Sequence, residues 1–185
     1  GIIPSKKWKK NNLNENWYGG ETLNAAIGQG YVLCTPLQLA VMTARIASGG
    51  KKIEPTILKT NEIREFNIMK KYNKELQIIQ KSMFKVVNDT RGTAFRSKSS
   101  EFTFSGKTGT SQVKRITVSE RESEDFRKTE IEWKNRDHAL FVGYMPSDNP
   151  KYAISVVIEH GGSGAATAAP IAKNVFEFIN QNKIL

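Results

Sequence analysis

The apolar positions of this 185-residue chain change rhythm several times, and each change marks an element. Leu37, Ala40, Val41, Ala44 and Ala47 recur at helical spacing. They follow Thr35-Pro36-Leu37-Gln38, in which the Thr35 hydroxyl can accept from the Gln38 N–H while the Gln38 side chain reaches back. Proline at the first helical position and Gly49-Gly50 at the end bound a helix at about 36 to 48. Leu76, Ile79, Met83 and Val86 predict a second helix from Lys74 to Asn88, capped by Asn73. Pro170 followed by Ile171, Val175, Phe178 and Ile179 predicts a last one. Ala139 to Met145 and Tyr152 to Ile158 are instead near-continuous apolar runs, parted by the turn sequence Pro146-Ser147-Asp148-Asn149-Pro150.

Runs joined by so short a turn pair antiparallel, and their lack of alternation means that both sheet faces are covered. Phe102 to Gly106 reads as a further strand of that sheet, leading into Lys107-Thr108-Gly109. Glu54 to Lys59, with Pro55 near its start, reads as a short edge strand. The fold class is therefore α+β, an antiparallel sheet covered by helices on both faces, with no internal repeat and no second domain. At 38% apolar and 25% charged residues the chain can build one core. No apolar run approaches the roughly 18 residues needed to span a bilayer, and no signal peptide is recognisable. Gly1-Ile2-Ile3-Pro4 enters extended structure without a start signal, so the chain reads as a fragment with sequence upstream.

A net charge of +10 raises the question of nucleic acid, which its distribution answers in the negative. Lys6, Lys7, Lys9 and Lys10 around Trp8 form a solvated basic segment that belongs to no reader motif. Between Val113 and His138, seven Lys or Arg are matched by seven Asp or Glu, as in a surface excursion. Cys34 lies among Tyr31, Val32 and Leu33 and reads as a buried structural thiol. His138 and His160 have no companions at metal-ligand spacing, so no metal is expected. Gly28-Gln29-Gly30 lacks the following helix that a dinucleotide loop requires.

The informative stretch is Phe102 to Ser111, where a short apolar strand meets Lys107-Thr108-Gly109-Thr110. An ammonium, two hydroxyls and a glycine-thinned backbone on one strand edge suit a peptide's terminal carboxylate beside its scissile carbonyl. Together with Ala26-Ile27-Gly28-Gln29-Gly30-Tyr31, Thr35-Pro36-Leu37-Gln38-Leu39-Ala40 and Val142-Gly143-Tyr144-Met145-Pro146, this stretch resembles class B penicillin-binding proteins of the elongation type. The likeness runs from Trp17-Tyr18-Gly19-Gly20 to the last helix, and covers the carboxy-terminal part of the family's transpeptidase domain.

That resemblance implies acyl transfer from peptidoglycan stem peptides ending in D-Ala-D-Ala, and acylation by β-lactams. Of the superfamily's three motifs, S-x-x-K, S-D-N and K-T-G, the third maps here. It implies that Lys107 supplies positive potential and orients the second-motif serine, and that Thr108 and Thr110 hold the substrate carboxylate. Gly109 would let substrate approach, and the Thr110 N–H would be an oxyanion donor. The other motifs are absent in usable form. Ser48 to Lys51 closes a helix, Ser82 to Lys85 lies inside one, and Ser111 to Lys114 follows the triad beyond the strand. Ser147-Asp148-Asn149 sits in a hairpin turn after the triad, not before it. The chain alone is therefore expected to be inactive and to need the upstream part of the same domain. No cofactor is implied. Implied partners are stem peptide, β-lactams and the cell-elongation machinery with its membrane glycan polymerase. The implied location is the outer face of the cytoplasmic membrane, held by an anchor outside this chain. The competing reading is a noncatalytic β-lactam-sensing or muropeptide-binding module.

Overall fold

The computed structural model describes residues 1–58, 64–113 and 131–184. The chain opens with α1 (Lys6–Leu13), α2 (Gly19–Ala26) and α3 (Pro36–Ala47). The expected capping box opens α3, with Gln38 N–H donating to Thr35 Oγ1 at 3.2 Å and Thr35 N–H to Gln38 Oε1 at 3.0 Å. Helix α4 (Asn73–Asn88) follows, then strands β1 (Ser105–Ser111), β2 (His138–Met145) and β3 (Tyr152–Ile158), and last α5 (Ala169–Gln181). A π-helical turn, Gly164–Ala168, leads into α5.

The sheet is antiparallel in the order β1-β2-β3. Thr108 pairs with Phe141 and Lys107 with Val142, while Phe141 pairs with Val156. On one face Phe141, Met145 and Val156 meet Ala168, Ala169, Ala172 and Phe176 of the α5 segment, with Phe104 filling the corner. On the other, Tyr144, Val142 and Ala153 meet Ile46 and Ala47 of α3 and Met83 of α4. Both faces are covered, as the unbroken apolar runs of β2 and β3 required.

Several local expectations are corrected. The triad is inside its strand rather than after it, because Phe102-Thr103-Phe104 is held by other partners. Asn88 Nδ2 donates to the Phe104 carbonyl and Ser147 N–H to that of Thr103. Glu54 to Leu58 forms no strand; Lys51 instead bridges Ile68, and Lys52 N–H donates to Asn67 O. Lys59 lies outside the described residues, as do 114–130 of the charged excursion. Asn73 is the first residue of α4 and makes no cap; Val86 packs against the core as expected, with Val87 fully buried beside it, and Ile79 is exposed. In α5 the inward face is Ala169, Ala172 and Phe176, and Ile171, Val175 and Phe178 point outward. Small side chains let this helix lie close to the sheet, which a search for large apolar residues misses.

Two more reversals concern single residues. Cys34 is exposed, since its segment runs along the surface where Leu33 bridges Ile2. Lys9, expected in solvent, is 1% exposed. Its Nζ donates to Glu21 Oε1, to Asn16 O at 2.9 Å, and pairs with Glu15 at 3.1 Å, between the rings of Tyr18 and Tyr31. This knot ties α1 to the first turn of α2.

Candidate active site

Strand β1 pairs with β2 on one side, and its other side is the edge of the sheet among the described residues. Along an antiparallel strand, residues alternate in turning both backbone groups toward or away from the neighbour. The Thr108 carbonyl accepts from Lys107 Nζ at 2.7 Å and the Thr110 carbonyl from Gln29 Nε2 at 2.9 Å. These carbonyls point away from β2, and so do the N–H groups of the same two threonines. Side chains alternate across the sheet as well. Lys107 and Gly109 belong to the α3 face, and Thr108 and Thr110 to the α5 face, so what the four residues share is the edge itself. The Lys107 side chain is exposed and folds back along that edge, with Nζ 3.5 Å from Thr108 Oγ1.

Around this edge the chain places supports. After α4 the backbone turns through Asp89-Thr90-Arg91-Gly92, where Arg91 N–H donates to Asp89 Oδ1 at 2.9 Å. That N–H, with the Arg91 charge, holds the Asp89 carboxyl below its ordinary value. The turn delivers Thr93, whose Oγ1 lies 3.0 Å from Thr108 Oγ1. Behind the strand, Gly164 packs on the β1 backbone so closely that a Cβ there would come within 2.3 Å of Gly109 O. At the lower end of β1, Ser105 Oγ donates to Ser147 Oγ at 2.9 Å. Burial pushes the neighbouring Tyr144 phenol up, while Ser105 pulls it the other way.

The structure gathers the four sequence-marked residues, Lys107, Thr108, Gly109 and Thr110, on one edge. It also adds Thr93 and Gln29, which sequence reading missed. The signal for Gln29 was its place between two glycines, read only as a failed dinucleotide loop. A polar cavity of about 940 Å³ lies beside Gln29, lined by Trp17, Asn24, Ser111 and His138 among others. A smaller apolar groove of about 480 Å³ on α3, lined by Leu37, Val41, Met42, Met69 and Leu76, touches none of the four.

The serines that spell motifs are engaged elsewhere. Ser48 ends α3 and donates to Arg45 O, Ser82 donates to Ile78 O within α4, and Ser147 accepts from Ser105 in the hairpin turn. Ser111 is the last residue of β1, not beyond it; Lys114 lies outside the described residues. His138 and His160 are adjacent in space, with His160 N–H donating to His138 Nδ1 at 2.9 Å and the rings 4.8 Å apart. No group of three or more metal-ligating side chains forms among the described residues.

Comparison with known proteins identifies the family. The sequence matches the family profile described as penicillin binding protein transpeptidase domain over residues 4–177. The chain belongs to the penicillin-binding transpeptidase family. Among curated family members it is 31% identical to peptidoglycan D,D-transpeptidase MrdA of Haemophilus influenzae, over 97% of this chain and 29% of that protein. It is 33% identical to MrdA of Acinetobacter baumannii, over 96% of this chain and 27% of that protein. Among solved structures, penicillin-binding protein PBP2 of Helicobacter pylori, determined in complex with MreC, superposes with a TM-score of 0.84. That match has 32% identity and covers all of this chain and 32% of the other. The chain thus spans about a third or less of the length of these penicillin-binding relatives. The likeness is to the elongation-type PBP2 branch of the family.

Proposed function

We propose that residues 1–185 are the carboxy-terminal portion of one penicillin-binding transpeptidase domain, which cross-links peptidoglycan stem peptides by serine acyl transfer. The observation that carries this reading is the edge of β1, unpaired among the described residues, on which Lys107, Thr108, Gly109 and Thr110 stand with two backbone N–H groups directed outward. A peptide ending in a carboxylate can add to such an edge as a further strand. The Thr108 and Thr110 hydroxyls then receive its carboxylate, and Lys107 supplies the positive field that draws it in.

The nucleophile comes from the upstream part of the domain. Its serine oxygen attacks the carbonyl carbon of the penultimate D-Ala, and the negative charge gathers on the carbonyl oxygen facing the Thr110 N–H. The C–N bond to the terminal D-Ala breaks, and that amine leaves with the serine's proton. An amine of a neighbouring stem then attacks the ester, the C–O bond to the serine breaks, and the amine's proton passes to the departing serine oxygen. One oxyanion donor supplies about 3 kcal/mol, so this wall accelerates the chemistry but does not perform it alone. β-Lactams acylate the same serine, with no cofactor required. The setting is the outer face of the cytoplasmic membrane, beside the elongation machinery with its glycan polymerase. No helix among the described residues is long and apolar enough to cross a membrane.

Intact mass after incubation with a penicillin tests this reading. The 185-residue chain gains no adduct, the chain joined to its upstream portion gains one, and Lys107→Ala abolishes it in the joined protein. Normal acylation of that variant would remove the role given to Lys107. A stable adduct on the isolated chain would mean that one of its own serines is the nucleophile.

A further inference from the structure

The contact between Gln29 and Thr110 joins residues 81 positions apart, and it is a built contact. Gln29 stands between Gly28, at φ +75°, and Gly30, at φ +68°. Both need the left-handed backbone that glycine adopts without strain, so the loop turns sharply on either side of one long side chain. Its backbone is fixed as well. Gln29 N–H donates to Asn24 O at 2.9 Å and Gly28 N–H to Ala25 O at 3.1 Å, pinning the loop to the end of α2. The first turn of α2 is held in turn by the bond from buried Lys9 to half-buried Glu21. A relay of fixed contacts therefore runs from α1 to the open edge of β1.

We propose that Gln29 is a positioning residue for acyl transfer: its side-chain amide holds the Thr110 carbonyl and so fixes the direction of the Thr110 N–H. This rests on the function proposed above, in which that N–H meets the developing oxyanion. Thr110 is exposed at a sheet edge, where among the described residues no further strand pairs with its outer side and the Gln29 side chain is what meets its carbonyl. A carbonyl oxygen has two lone pairs. Gln29 takes one and leaves the other for the amide N–H of an incoming peptide, so positioning and strand addition are compatible. Gln29 touches no reacting atom itself. Its removal should slow the acylation step while leaving the preceding noncovalent binding nearly unchanged, since small misplacements of a donor act on rate.

The test is made on the transpeptidase completed by its upstream portion, comparing the parent with Gln29→Met and Gln29→Glu. Gln29→Met keeps the length and loses the donor. Its penicillin acylation rate falls about tenfold, with the noncovalent dissociation constant little changed. Gln29→Glu is slower still at neutral pH, because a carboxylate then faces the Thr110 carbonyl. It recovers relative to the parent as pH drops toward the ordinary carboxyl value of about 4.3, where the protonated group donates. A loss of packing alone would give no such profile. Both variants acylating like the parent, or Gln29→Glu keeping one relative rate at every pH, would overturn the proposal. If the parent itself is not acylated, the functional reading fails, and the NMR order parameter of the Thr110 amide decides this inference separately. A drop at Thr110 in Gln29→Met supports the clamp, and an unchanged value refutes it.

Discussion

Lys9 marks the limit of what single residues reveal in sequence. Four lysines around a tryptophan read as a solvated patch, yet one of them is enclosed by Glu15, Glu21, Tyr18 and Tyr31. Its partners lie 6 to 22 positions away and only the fold brings them together. Cys34 errs in the other direction, exposed among apolar neighbours that are themselves on the surface. The Lys107-Thr108-Gly109-Thr110 run, by contrast, was legible because its four groups are contiguous. The Lys9–Glu21 pair has a pH consequence. Hydrogen bonding to Lys9 holds the Glu21 carboxyl below its ordinary value of 4.5, so its stabilisation is present above that value and is lost as pH falls through the lowered one. Thermal melts of the chain should show a fall in Tm on acidification that is shallower in Glu21→Gln. Lys9 is held above 10.5 chiefly by Glu21, so its share is present at neutral pH and is lost only as pH rises through that raised value. Lys9→Met should lower Tm by several degrees at pH 7, since it removes the ammonium that pairs with Glu21 and Glu15.

At the scale of elements, the start of α3 and the pairing of β2 with β3 are readable because their signals are local. Thr35-Pro36-Leu37-Gln38 carries its own hydrogen bonds, and β2 and β3 are joined by a turn that dictates their pairing. Thr35→Ala should cost about 1 kcal/mol in denaturant unfolding, the usual value of such a cap. The face of α5 was misread because helix-to-sheet distance decides it, and that distance is set by Ala169 and Ala172 rather than by the larger Ile171 and Val175. The start of β1 was misplaced for a similar reason: Phe104 satisfies the strand pattern, while its carbonyl is claimed by Asn88. Close packing behind β1 gives a sharper expectation. Gly164→Ala would drive a methyl group into Gly109 O and Leu140 O, so it should destabilise by about 1–3 kcal/mol and loosen the triad strand together with the core. A denaturant series that leaves the unfolding midpoint unchanged would contradict the close approach.

For the molecule as a whole, the family match extends over nearly all of the chain while the chain reaches only a fraction of its relatives' length. The function proposed above takes one motif from this chain, and in that proposal Lys107, Thr108, Gly109 and Thr110 form one wall of the site. That wall has an intrinsic hazard. A sheet edge without a partner strand is a template on which a second chain can extend the sheet, which is how edge strands seed aggregation. Proteins guard such edges with lysines, bulges or covering side chains, and β1 has a charge at Lys107 with Gln29 and Thr93 set against its neighbours. Lys107 is therefore expected to guard solubility, alongside the role proposed for it above. Lys107→Val, measured by sedimentation over a concentration series, should self-associate at concentrations where the parent chain stays monomeric. On this account the lysine would be kept at that position even in a relative that had lost its chemistry.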